Sequence, residues 1–157
     1  MILQIQPSWK TISEAWLMRT NDLISNHLFA IFAFDPSERF YKFNIPIYDL
    51  YDNSKYLSLS KRFLNRFLPS KYRFQYSAKK HLLANIENDK VNKILIHFLT
   101  TAIHFDDVLS QTNKPIYIHC HGQDVFWDKS VHPADYVERV IIISAKAKFI
   151  ANSQFTK

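Results

Sequence analysis

The sequence predicts an α/β fold, a mostly parallel sheet with helices on both faces. Three observations carry that expectation. Strand-like and helix-like segments alternate along most of the 157 residues. The run HLFAIFAF, His27–Phe34, is continuously apolar, the pattern of a strand buried on both faces. The only glycine, Gly122, stands directly after a strand-like run in PIYIHCHGQDVFWD, where a chain leaving a buried strand needs a sharp turn.

Each element follows from local pattern. Ile2–Ile5 is a short apolar run closed by Gln6-Pro7 and reads as the first strand. Thr11 and Glu14 form a T-x-x-E capping box heading a helix to Asn26, with Ile12, Trp16, Leu23 and Ile24 as its apolar stripe. His27–Phe34 then completes a strand–helix–strand unit. Pro46–Tyr51 reads as a short strand, Leu57–Leu68 as a helix stopped by Pro69, and Phe74–Asn88 as another helix. Lys93–His97 is a strand, Leu99–Gln111 a helix, Ile116–Cys120 a strand, Ala134–Ser144 a helix and Lys148–Asn152 a last strand. Ser153 has the character of an N-cap for one more helix. Ligands of such sheets bind beyond the carboxyl ends of the strands, which puts His121 and Asp124 at the rim of a cleft, with Gly122 turning the backbone between them.

Composition narrows the function classes. A hydrophobic share of 47% and an aromatic share of 15% belong to a globular chain, and the length is that of one domain. No run of 18 apolar residues occurs, and MILQIQPSWK lacks the charged start and the small-residue cleavage site of a signal peptide. One cysteine cannot make an internal disulfide, so a reducing, cytoplasmic setting is expected.

The net charge of +6 is local. Between Asp52 and Glu87 there is no acidic residue, while Lys55, Lys61, Arg62, Arg66, Lys71, Arg73, Lys79 and Lys80 lie there. Tyr56, Phe63, Phe67, Tyr72, Phe74 and Tyr76 are interleaved with them. Solvated helix faces often carry such charge. The absence of acids together with the aromatics suits docking on an anionic membrane surface through Lys61, Arg62, Arg66, Lys71 and Arg73. It also suits single-stranded nucleic acid, but without any accompanying recognition motif that partner ranks behind.

The residues that could carry chemistry are few. His119 and His121 project to the same side of their strand, and H-x-H at a strand end is a metal pattern in some hydrolases. Such a site needs further ligands, and His97, His104 and His132 stand in no spacing that demands one, so no metal is expected. Cys120 points the other way and reads as a small core residue. No G-x-S-x-G exists, and one glycine rules out both a phosphate-binding loop and the G-x-G-x-x-G dinucleotide fingerprint. Asp106 and Asp107 read as a solvated face in mid-helix, and Asp124 as either a turn-capping residue or a ligand acceptor.

PIYIHCHGQDV at 115–125, KFIANSQFTK at 148–157, ISEAWLMRTNDLIS at 12–25 and KILIHFL at 93–99 come in an order that resembles the acceptor-side domain of glycosyltransferase family 4. The resemblance covers most of the chain. It implies the N-terminal half of a GT-B fold, a Rossmann-like sheet, and transfer of a sugar from a nucleotide-sugar donor to a glycan or lipid-linked acceptor with retention, in cell-surface polysaccharide biosynthesis. By the same resemblance His121 is the catalytic residue, touching a donor hydroxyl, and Gly122, Asp124, Glu14 and Ser153 are substrate-binding residues. The first loop, PSWKTIS, departs from the family by lacking its glycine pair, and the E-x7-E motif of the nucleotide-binding half is absent. Residues 1–157 are therefore expected to be one acceptor-side domain, inactive alone, that stops before the nucleotide-sugar domain and lies on the cytoplasmic face of a membrane. Two alternatives stand beside it: a non-catalytic membrane- or nucleic-acid-binding α/β module, and a metal-dependent hydrolase using His119 and His121.

Overall fold

Ile2–Gln6, Leu28–Ala33, Ile47–Asp49, Lys93–His97, Ile116–Cys120 and Ala147–Ala151 form strands β1 to β6 of a single sheet. This is seen in a computed structural model that describes residues 1–7, 15–34, 44–50, 75–120, 124 and 134–151. Every neighbouring pair is parallel and the order is β3-β2-β1-β4-β5-β6. The helices are α1 Ala15–Ile24, followed by a 3-10 turn at Ser25–His27, α2 Gln75–Ile86, α3 Leu99–His104, α4 Asp106–Leu109 and α5 Tyr136–Ser144. The fold is the expected α/β, Rossmann-like one. Its strand order reverses between β1 and β4, the topological switch point at which such sheets place ligands.

Side-chain alternation gives the sheet two unlike faces. Leu3, Ile5, Ala30, Phe32, Ile94, Ile96, Ile116 and Ile118 join Leu82 and Ile86 of α2, Ala102 and Ile103 of α3, Val108 and Leu109 of α4 and Ile143 of α5 in one large apolar core. Each large side chain buried there contributes about 1.5–3 kcal/mol. On the opposite face a small cluster, Leu28 and Ile31 with Ile2, Ile24, Ile45 and Ile47, lies under the end of α1. Beside it the face turns polar.

Several expectations are corrected. His27 is not in β2 but exposed in the 3-10 turn, and β6 starts one residue earlier than the apolar pattern suggests. Leu23, expected in the apolar stripe of α1, is 84% exposed, because the helix buries Leu17 and Asn21 instead. The helix expected over Leu99–Gln111 breaks at Phe105, whose φ of −113° and ψ of 18° leave the helical region. That break turns the Phe105 ring into the core, stacked on Phe34 at 5.7 Å, and starts α4 afresh. Asp106 and Asp107 therefore lie in the first turn of α4, where negative charge is favoured, and pair with Arg139 at 3.6 Å and Lys79 at 2.8 Å.

Candidate functional site

At the carboxyl end of the sheet, β4 and β5 are in register so that His97 lies beside His119. Parallel neighbours in register point their side chains to the same face, and the two Nδ1 atoms approach to 3.3 Å. His97 is fully buried, His119 half-buried. From α1, Trp16 stands edge-on to both rings, its centroid 5.3 Å from His97 and 5.1 Å from His119. On the other side of the switch point, β1 carries Gln4 and Gln6 on this same face, both fully buried. Gln4 Nε2 donates to Gln6 Oε1 at 2.6 Å and to Asn21 Oδ1 of α1 at 2.7 Å. Gln4 Oε1 and Gln6 Nε2 have no hydrogen-bond partner among the described residues. Polar atoms buried in that state are rare and costly in a core built only for stability.

The connection from β4 to α3 is a single residue. Phe98 N–H donates to the His119 carbonyl, extending the ladder, while its carbonyl accepts from Ala102 N–H, opening the helix. One residue has to change the chain's direction, and Phe98 does so at φ 73° and ψ 134°, a region otherwise mostly left to glycine. Its ring packs 6.2 Å from Trp16.

Asp124 locks this turn from across the site. It is 7% exposed, and its Oδ1 accepts the Leu99 N–H at 3.0 Å. The carboxylate thus caps the first turn of α3, a helix that precedes it by 25 residues. Its charge is felt locally. Burial lowers the His119 pKa and Asp124 partly opposes this. Burial and then Asp124 push the Cys120 thiol up to about 11, and burial, Asp124 and Cys120 push Tyr136 up to about 12. At neutral pH Cys120 is a buried thiol and not a nucleophile, in keeping with its reading as a core residue.

Of the residues singled out in the sequence, His119 and Asp124 come to this edge. His121 and Gly122 follow β5 in the chain but lie outside the described residues, as do Glu14, Ser153, His132 and the basic residues Lys61, Arg62, Arg66, Lys71 and Arg73. Sequence reading missed Gln4, Gln6, Trp16, Asn21, Phe98 and the partnership of His97 with His119. One signal was present, since His97 and His119 sit at the ends of two successive expected strands. Gln4 and Gln6 also stand two apart, on one face of a strand otherwise apolar.

The edge offers imidazoles, amides, an indole edge and one carboxylate. Such a set can hydrogen-bond hydroxyls and move a proton. Among the described residues no three His, Cys, Asp or Glu side chains gather as a metal ion would need, and no helix is long and apolar enough to cross a membrane. No protein-family model matches the chain, and no curated protein matches it.

Proposed function

We propose that the chain is the acceptor-side domain of a retaining glycosyltransferase that uses a nucleotide sugar. The observation that carries this reading is the polar carboxyl edge at the switch point, from which the HGQD stretch departs directly after β5. In this proposal His121 hydrogen-bonds a donor-sugar hydroxyl, and Gly122 lets the backbone approach it. Asp124 acts as a positioning residue, holding the β4–α3 turn that backs His119. The oxocarbenium-like charge that develops in glycosyl transfer is stabilised by polar groups fixed before reaction. A rigid edge of this kind supplies such fixing. Contacts to the leaving diphosphate belong to a second domain, so residues 1–157 alone give little transfer. The basic, aromatic-rich segment, by its composition, docks the protein on an anionic membrane facing the cytoplasm, where a lipid-linked acceptor resides.

The test is a donor-hydrolysis and transfer assay with a panel of nucleotide sugars, on residues 1–157 and on that segment joined to its second domain. His121→Ala in the two-domain protein should lower turnover by about 10- to 100-fold, the equivalent of about 1.4–2.7 kcal/mol of transition-state stabilisation. Full activity after His121→Ala removes the motif from the chemistry. Robust transfer by residues 1–157 alone refutes the half-enzyme reading.

A further inference from the structure

α1 is attached to the polar half of its face at two places. In its C-terminal half, the buried Asn21 joins the amide cluster of Gln4 and Gln6. In its N-terminal half, Trp16 rests edge-on against His97 and His119. The second attachment depends on protonation. Two Nδ1 atoms 3.3 Å apart can share one proton, one ring donating N–H and the other accepting. With both rings converted to imidazolium, protonated at both nitrogens, two Nδ1 donors and two like charges would face each other where His97 has no exposure to water. The backbones cannot separate, because β4 and β5 are paired from Ile94–Ile116 to His97–His119. Relief has to come from rotation of a ring, and Trp16 stands in contact with both rings.

We propose that the His97–His119 pair is a proton-operated latch for α1, closed around one shared proton and opened, with Trp16 leaving the sheet, when both rings are protonated. Among the described residues, the nearby charged and titratable groups do not cancel the effect. Asp124 favours a charged His119, but burial outweighs it. Gln4 and Gln6 on β1 are uncharged, and Arg19 and Asp22 of α1 are exposed. Cys120 and Tyr136 remain neutral throughout the relevant range. In the open form the imidazole is hydrated and takes its proton near its ordinary value, about 6.5. In the closed form His119 does so only at lower pH, because burial lowers its pKa. The closed form is therefore fully favoured above about 6.5 and loses that advantage as pH falls through the lowered value, by up to about tenfold per pH unit for each proton taken up.

The latch holds whether or not the chain is a transferase, and its test needs no substrate. Hydrogen exchange of the full chain, corrected for intrinsic chemistry, is followed from pH 7.5 to pH 5. The α1 amides should open more readily by up to about tenfold per pH unit below the crossing, while β1, β4 and β5 stay protected. His119→Gln, which keeps a hydrogen-bonding group but cannot take the charge, should flatten the pH dependence of α1 exchange, since no second imidazolium then faces His97. If that variant does not fold, imidazole NMR of the wild-type chain decides: His97 and His119 must titrate where α1 opens. Unchanged α1 protection at pH 5, simultaneous loss of protection across the sheet, the same pH dependence in His119→Gln, or titration of the pair away from the α1 transition would each overturn the latch.

Discussion

One face of this sheet presents Leu3, Ile5, Ile94, Ile96, Ile116 and Ile118; the other, from the same or neighbouring strands, presents Gln4, Gln6, His97 and His119. The apolar face is closed by four helices in one continuous core. The polar face has α1, held through an indole edge and a triad of amides as well as a small apolar cluster. The strands are equally well paired on both counts, so the difference lies in side chains alone. Among the described residues, the first face holds most of the buried apolar side chains. The second gives up some apolar burial to keep ionisable and hydrogen-bonding groups at the switch point.

The largest expected effect breaks the comparison on its apolar side. Phe105→Ala removes a ring that is 1% exposed and stacked on Phe34. It should cost about 3–5 kcal/mol in urea unfolding, the range for emptying an aromatic site in a packed core. A loss below about 1 kcal/mol would mean that this face is not the packed core described.

Asp124→Ala should cost less, about 1–2 kcal/mol, by stranding the Leu99 N–H at the start of α3. It has a second readout. Without the carboxylate, the Cys120 thiol should titrate below its present value of about 11 yet stay above an ordinary thiol, because burial is the larger cause. Thiolate absorbance against pH would show it. An unmoved thiol would detach Asp124 electrostatically from β5.

On the polar face, Gln4→Leu leaves Asn21 short of a partner, whereas Gln4→Leu with Asn21→Leu removes both ends of the hydrogen bond. The double variant should therefore be more stable than the two single losses sum to, by about 0.5–1.5 kcal/mol in a double-mutant cycle. Simple additivity would mean that the triad does not tie α1 to β1.

How much of this was legible depended on range. Lys93–His97 and Ile116–Cys120 were found to the residue because apolar runs bounded by turn residues are local signals. The break at Phe105 was not, since no proline or glycine marks it and only the core beneath explains it. The His97–His119 contact spans 22 residues and exists only in one register of β4 on β5, which no local pattern states. Asp124 reads in the sequence as either a turn cap or a ligand acceptor, and nothing local points to Leu99, a donor 25 residues away that is near only in space.

The smallest effect concerns glycine, which the chain contains only once. Gly122, which reads as a sharp turn after β5, lies outside the described residues; the described turn with positive φ is at Phe98, after β4. A side chain at φ 73° and ψ 134° stores strain on the order of 1–3 kcal/mol. Phe98 keeps it because its N–H and carbonyl are committed to strand and helix while its ring meets Trp16. Phe98→Ala loses the ring and retains the strain; Phe98→Gly loses the ring and releases it. Gly should therefore be more stable than Ala here by about 1 kcal/mol, the reverse of their usual order within regular elements. Chemical unfolding of the two variants side by side measures the difference with the ring contact cancelled. If Ala is the more stable, the turn is not strained, and β4 leaves the sheet by a conformation that any residue could adopt.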